Sequence, residues 1–225
     1  MASVMKKLIS VLLFVLPWRV RRPILNLLFG YRIHPTARIG FSVICPKHLE
    51  MGPQSYIGNL TLCKGLELLR MEESSLIGNL NWISGFPAND DRFFSSEKGR
   101  RPELILGSNA AITTRHYIDC TNSVIVGEFT TVAGARSQLL THSIDLYESR
   151  QASKPITIGK YCFVGTASIL LGGSALPDYS VLGASSMLNK AFAETYFLYA
   201  GNPASPVKSL SQDMAYFRRA KGFVH

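Results

Sequence analysis

The sequence predicts an all-β chain wound as a parallel β-helix, and two observations carry that prediction. Aliphatic residues recur in steps of six, with Ile158, Val164, Leu170, Leu176, Leu182 and Leu188 in one unbroken register. A small residue often follows, as in Ile158-Gly159, Val164-Gly165 and Leu182-Gly183. A period of six suits neither a helix nor a long strand. It suits a prism in which each hexad supplies one short strand and a turn, and three hexads complete a coil. The aliphatic residue then points into a narrow core, and the glycine turns the corner without a Cβ in the way. Strands of an ordinary sandwich would alternate with period two instead.

The elements follow in order from this register. Residues 1–30 form a hydrophobic leader, in which the apolar stretch from Leu8 to Leu16 precedes Pro17-Trp18-Arg19-Val20-Arg21-Arg22 and apolar character resumes after Pro23. The first stretch is too short to span a bilayer as a helix, and no small-x-small cleavage site follows it. Two short apolar helices around an arginine-rich turn, with Trp18 at the junction, would lie in a membrane interface; the competing role is a cap over the open first coil. Residues 31–190 hold the coils, beginning with Ile33, Ile39, Cys45, Met51, Ile57 and Cys63 in the six-residue step. The register returns at Leu106, Ile112, Ile118 and Val124, and then slips by two to Val126 and Val132. Loops interrupt it at 85–102 and 138–155, where extra residues leave a solenoid corner without disturbing the stack. Residues 191–225 read as a connecting segment, a turn at Gly201-Asn202-Pro203-Ala204 and a terminal basic helix.

Composition narrows the function. The chain has 225 residues, enough for one domain with terminal additions, and a formal net charge of +9. Basic residues crowd the two ends, Lys6, Lys7, Arg19, Arg21 and Arg22 at one and Arg218, Arg219 and Lys221 at the other. No nucleic-acid-binding motif accompanies them, which leaves an anionic membrane surface or an anionic cofactor as the partner. The cysteines Cys45, Cys63, Cys120 and Cys162 show no metal-like or redox-like spacing, and Cys45 and Cys63 fall on inward positions; that suits a reducing cytoplasm. The expected place is therefore cytoplasmic, peripheral on the inner face of the membrane.

The period, together with three segments, resembles the hexapeptide-repeat acyltransferases, a superfamily of left-handed parallel β-helices. The segments are Thr141-His142-Ser143-Ile144-Asp145, the coils from Ile156 to Lys190, and Gly201-Asn202-Pro203-Ala204. Ile33-His34-Pro35-Thr36-Ala37-Arg38-Ile39-Gly40 is similar to the first coil of polysaccharide-biosynthesis acetyltransferases of the colanic acid acetyltransferase type, which carry a hydrophobic, arginine-bearing leader. The resemblance implies an acetyl-CoA-dependent O-acetyltransferase acting on a sugar hydroxyl of a polysaccharide precursor or lipid-linked glycan, with acetyl-CoA as donor, no metal and a homotrimer. The alternative is a non-catalytic β-helix serving as an assembly or binding module.

Acyl transfer to a hydroxyl needs a base, and histidine can accept the proton near neutral pH. The resemblance implies His142, which lies in a His-x-x-Asp segment ahead of the last coils. Asp145 or Asp119 would orient its ring; contact with the acceptor sugar and closure of the turn are the other roles open to Asp145. Arg115, His116 and Asp119 are candidates to share a face with the His142 loop and bind the acceptor. Small residues matching the family's carrier groove are Gly165, Thr166, Gly183, Ala184 and Ser185, with Lys190, Asn202 and Pro203 completing it; Ser205 stands where the family commonly has a basic residue, and Lys208 is the substitute. The metal site of the β-helical carbonic anhydrases is excluded, because their His-x-x-x-x-His pair would need a histidine where Tyr147 stands.

Overall fold

A computed structural model of the chain describes residues 9, 11–222 and 224. Lys6, Lys7 and Leu8 of the leader lie outside them. Seven coils pass in turn through three parallel sheets that form the faces of a prism. Sheet A runs through Arg32–Ile33, His48–Met51, Leu68–Met71, Glu103–Leu106, Val124–Val126, Ile156–Ile158 and Ala175–Leu176. Sheet B runs from Arg38–Ile39 to Val181–Leu182, and sheet C from Val43–Cys45 to Met187–Leu188. Among the described residues no helix is long and apolar enough to cross a membrane.

The core is a set of columns, because parallel in-register pairing places equivalent hexad positions directly above one another. On sheet B the column is Ile39, Ile57, Ile77, Ile112, Val132, Val164 and Leu182, topped by Tyr199. On sheet C it is Ile44, Cys63, Ile83, Ile118, Leu139, Leu170 and Leu188. All of them are at most 4% exposed, so each aliphatic member contributes about 1.5–3 kcal/mol of burial. The inward residue of the first sheet C strand is Ile44, which stacks on Cys63, not Cys45, which pairs outward with Lys64. Cys45 is buried all the same; the first coil is one residue short between its inward positions. The slip of two between Val124 and Val126 also has a plain cause. Sheet A strands are longer and point two residues inward, Leu104 with Leu106 and Val124 with Val126, one position apart on the same face.

The corners show why small residues follow the aliphatic ones. A Cβ on Gly165 would lie 2.5 Å from the Ala184 backbone nitrogen of the next coil. Other corner residues, including Leu60, Leu80, Arg115, Arg136, Ala167 and Ser185, adopt φ between 56 and 65° along one edge.

Both ends of the prism are covered. Helix α1, Trp18–Phe29, ends on Gly30 in the left-handed conformation and places Leu25 in the core beside Leu13 and Tyr31. The arginines expected to form a turn lie within this helix, and the break in the leader comes before Trp18. Arg21 is 4% exposed and donates to the Gly40 and Ser42 carbonyls at 2.9 and 2.7 Å, while Trp18 Nε1 donates to the Ala37 carbonyl. These bonds satisfy carbonyls on the open first coil that have no earlier coil to pair with. The hairpin Phe197–Gly201 and Ala204–Ser209 extends sheet B at the far end. The expected basic C-terminal helix is a single 3-10 turn, Ala215–Arg218. It packs over a stack of Phe129, Tyr161, Tyr179 and Tyr196 rings along the corner between sheets A and B.

Candidate active site

The corner that follows sheet C is where the coils open. After Leu140 the chain leaves the solenoid as a two-stranded hairpin, His142–Asp145 with Arg150–Ser153, and returns to sheet A at Ile156. Gln138–Leu140 is still a regular sheet C strand, so the excursion begins three residues later than the loss of periodicity predicted. One coil below, Asp119 ends the strand Tyr117–Asp119 and turns its carboxylate towards the base of this hairpin.

Asp119 is 3% exposed and is held from two sides. Its Oδ1 accepts from the Thr121 hydroxyl at 2.6 Å and the Thr121 N–H at 3.2 Å. Its Oδ2 accepts from the Thr141 N–H at 2.9 Å, the Thr141 hydroxyl at 2.7 Å, the His142 N–H at 3.0 Å and His142 Nδ1 at 2.8 Å. Burial alone would raise the carboxyl pKa, but the hydrogen bonds from His142, Thr121 and Thr141 prevail and hold it below the usual range. An ionised carboxylate accepts only, so Nδ1 carries the proton and the neutral ring presents Nε2 as its free lone pair. The same bond raises the His142 pKa above its ordinary value, against burial and the nearby Arg100 charge, both of which lower it. The imidazole is about one-third exposed, and Nε2 has no partner among the described residues.

The segment 85–102 closes over one side of this ring. The Phe86 and Phe94 rings meet the imidazole edge-on, with centroids 5.8 and 6.1 Å away. Helix α2, Asp91–Phe94, is capped by Asp90. Arg100 clamps the segment by donating to the Thr121, Phe86 and Pro87 carbonyls, with its guanidinium 4.1 Å from the Phe94 ring centroid. Glu97 Oε2 accepts from the Ser153 N–H and hydroxyl, which ties the segment to the hairpin. Phe94 and Arg100 stand out in the sequence only as part of a segment whose content suits a cover over an acceptor site, and Phe86 does not stand out at all, because an aperiodic loop carries no register from which to place them against His142. Only its aromatic and basic content marks it.

Asp145 does not orient the histidine. Its Oδ1 accepts from the Tyr147 and Glu148 N–H groups at 3.0 and 3.2 Å and so closes the hairpin turn. It lies three residues along a strand from His142, whereas Asp119 lies one coil below, directly beneath it. His116 is a structural residue rather than an exposed ligand. It is 2% exposed, its Nδ1 accepts from the Ser137 N–H, and Nε2 therefore donates to the Thr113 hydroxyl at 3.0 Å. Burial drives its pKa down to about 4, so it is neutral. Arg115 is exposed at the opposite edge of sheet C from Asp119.

The expected carrier residues divide between two corners. Gly165, Thr166, Gly183, Ala184 and Ser185 lie in one column between sheets B and C, where Ser185 N bonds the Thr166 carbonyl. The turn bearing Asn202 and Pro203 joins this column through a bond from Gly201 N to Ser186 Oγ. Lys190 lies at the other edge of sheet C, the corner that also carries His142, and its ammonium rests 5.2 Å from the Phe192 ring centroid. Lys208 pairs with Leu198 in the terminal hairpin. Among the described residues no group of three or more His, Cys, Asp or Glu side chains is placed to hold a metal ion.

No family model and no curated protein matches the sequence. Solved structures match over nearly the whole chain. The polysialic acid O-acetyltransferase OatWY is 16% identical with a TM-score of 0.58, covering 83% of this chain and 90% of its own. AntD, an N-acyltransferase from Bacillus cereus, crystallised as a mutant with dTDP and coenzyme A, is 12% identical with a TM-score of 0.53 over 88% and 92% of the two chains. A hexapeptide-repeat-containing acetyltransferase from Vibrio cholerae, solved with acetyl coenzyme A, is 16% identical with a TM-score of 0.50 over 93% and 88%. The fold is thus the left-handed parallel β-helix of the hexapeptide-repeat acetyltransferases.

Proposed function

We propose that this left-handed hexapeptide β-helix is an acetyl-CoA-dependent O-acetyltransferase whose acceptor is a sugar hydroxyl of a polysaccharide precursor or lipid-linked glycan. The observation that carries the reading is the His142–Asp119 pair: a half-buried imidazole fixed in one tautomer by a buried carboxylate, with Nε2 unpartnered among the described residues. That is the arrangement of a general base. Nε2 takes the proton of the acceptor hydroxyl as the oxygen attacks the thioester carbonyl. The tetrahedral intermediate collapses with loss of the CoA thiolate, which takes the proton back from Nε2, so that ester and free thiol leave and the histidine returns neutral. Asp119 stabilises the imidazolium formed in between. Acetyl-CoA supplies the acyl group, and the coenzyme A bound in the AntD structure and the acetyl coenzyme A bound in the Vibrio cholerae structure support the choice of donor.

The division of the carrier residues between two corners supports a homotrimer. Gly165, Thr166, Gly183, Ala184, Ser185, Asn202 and Pro203 lie across sheet C from His142 and Lys190. One groove can hold both sets if a neighbouring copy brings its small-residue corner against the His142 corner, and closed cyclic symmetry repeats that groove at each interface. Activity from a monomer, shown by light scattering at assay concentrations, would sink this part of the reading.

The leader supports a peripheral place on an anionic membrane. Leu12, Val15, Leu27 and Leu28 are 58–83% exposed, and Arg19 is exposed beside them, although Arg21 and Leu25 serve the first coil. Vesicles containing phosphatidylserine should retain the full chain and release a Leu27→Ser, Leu28→Ser variant. For the activity, purified protein offered acetyl-CoA with a panel of sugar acceptors should release free thiol in step with an acetyl ester on one of them. Thiol release with no acyl-CoA and acceptor pair would remove the catalytic reading.

A further inference from the structure

One buried cation beside the histidine pair has no carboxylate of its own. Arg100 is 6% exposed within the single chain, so its contacts do not depend on a neighbouring copy. Among the described residues no carboxylate lies within ion-pair distance of it. The guanidinium faces three carbonyls instead: Nη1 donates to Thr121 at 2.9 Å and to Phe86 at 3.2 Å, and Nη2 donates to Pro87 at 2.8 Å. Nε is buried with no acceptor among the described residues. A buried charge without a counter-charge is costly, and an unbranched apolar side chain would fill the same space with less penalty. What arginine adds at this position is therefore its fork of donors and its charge.

The three carbonyls belong to the two parts that enclose His142. Thr121 follows Asp119 by two residues, and its hydroxyl and N–H both hold Asp119 Oδ1. Phe86 and Pro87 open the segment whose rings border the imidazole, and Phe86 and Phe94 stand at 85° and 82° to its plane. The imidazole is thus tied at Nδ1 by Asp119 and flanked by two rings, and Arg100 bonds to the supports of both. A planar fork with donors in fixed directions can bridge such parts, whereas the point charge of a lysine holds no fixed geometry.

We propose that Arg100 is a positioning residue for acetyl transfer: it locks the wall of Phe86 and Phe94 to the loop that holds Asp119, so that carboxylate, imidazole and wall meet the acceptor as one rigid unit. The inference rests on the acetyltransferase reading for the reaction it serves. The charge has an effect of its own. The Phe94 ring neighbours both groups, with its centroid 4.1 Å from the guanidinium and 6.1 Å from the imidazole, so the charge lies within about 10 Å of the base. Asp119 raises the His142 pKa and Arg100 opposes it, which keeps more of the base unprotonated near neutral pH. The remaining charges of the corner are Glu97, bonded to Ser153 opposite His142, and Asp90, the cap of helix α2. Lys154 and Lys190 are exposed there and screened by water.

The experiment compares Arg100→Met, which removes the charge and the donors, with Arg100→Lys, which keeps the charge and loses the fork. The first readout on the full chain is the titration of the His142 ring by NMR of 13C-labelled histidine, without donor or acceptor, the signal being assigned by its loss in His142→Gln. The second is kcat for thiol release, with acetyl-CoA affinity measured on the same protein. In Arg100→Met the titration should move up by roughly 0.3–1 pH unit, and kcat should fall about tenfold to a hundredfold with acetyl-CoA affinity kept. Arg100→Lys should titrate close to the native chain and have an intermediate kcat. Arg38→Met, at an exposed arginine on sheet B, should change neither. An unmoved titration in Arg100→Met, or kcat within about twofold of native in both variants, would overturn the proposal whatever the change in Tm, because a clamp that serves the fold alone lowers only stability. If Arg100→Met does not fold, kcat of Arg100→Lys decides by the same criterion. A titration that moves as stated in a chain that transfers acetyl to no acceptor would remove the acetyltransferase reading and leave the link between Arg100 and His142 standing.

Discussion

Replacing Asp119 with Asn keeps the side-chain volume and removes its charge, and the hydrogen bonds around the carboxylate determine the consequences. Four donors converge on Oδ2 and two on Oδ1. The amide group therefore turns its NH2 towards Thr121, whose hydroxyl can rotate to accept, and leaves the Thr121 N–H as one unsatisfied buried donor, at a cost of about 1–3 kcal/mol. For a chain of this length that lowers the Tm by about 2–12 °C. The amide oxygen still accepts from His142 Nδ1, so the tautomer survives. What is lost is the carboxylate charge beside the imidazolium in the transition state, the difference between a charge-assisted and a neutral hydrogen bond. That is about 1–2 kcal/mol, or roughly fivefold to thirtyfold in kcat. The pH profile adds a signature that misfolding would not give. In the native protein Asp119 raises the His142 pKa above 6.5, and the base works only when unprotonated, so kcat/KM falls as pH drops through that raised value. In Asp119→Asn the acid limb should move to lower pH. Thiol release measured across about pH 5–9 in the presence of acceptor would capture both effects. A variant that loses stability but keeps kcat within about twofold, with an unmoved acid limb, would show that the pair is structural.

Three further outcomes are expected. His116 is neutral in the fold with a pKa of about 4 against 6.5 in an unfolded chain, so the unfolded state binds more protons between these values and stability falls as pH drops through that window, by up to about 3 kcal/mol. His116→Asn should have a shallower loss of Tm from about pH 7 to about pH 4.5 than the native chain, and identical slopes would contradict the neutral assignment. Arg21→Ala leaves the Ser42 carbonyl without its donor and takes one of two donors from the Gly40 carbonyl, which keeps the Ser42 N–H, and should cost about 1–3 kcal/mol by denaturant unfolding; no change would show that the leader does not cap the first coil. Glu97→Ala should release the 85–102 segment from Ser153, seen as faster tryptic cleavage after Lys98 with the coils still folded, whereas unchanged cleavage would mean that Arg100 alone holds the segment.

The coils are legible in the sequence because a solenoid repeats one local environment. Every inward position needs an aliphatic residue of similar size, and Ile158 to Leu188 supply it without a break. Register is lost only where a coil departs from that spacing, at Ile44 and at the doubled inward positions of sheet A. His142 is legible through its segment, but its partner is not, since Asp145 is near in sequence and Asp119 is near in space. The choice depends on how far one coil stands above another, and a linear pattern holds no measure of that. The same limit applies to Lys190, which comes after the small residues in the chain and yet sits at a different corner. His116 reads as a surface residue because its threonine and serine partners are polar; in the fold it is buried between coils, with bonds to Asn81 and Ser137 on either side.

The most direct test of the central claim is single-turnover and steady-state acetyl transfer by His142→Ala, with acetyl-CoA binding measured on the same protein. Loss of a positioned general base should lower turnover by about a hundredfold to ten-thousandfold, with the acetyl-CoA dissociation constant unchanged and no acetyl group found on the chain by mass spectrometry. Turnover close to that of the native protein would contradict the role of His142, and an acetyl group trapped on Ser143 or a cysteine would contradict direct transfer.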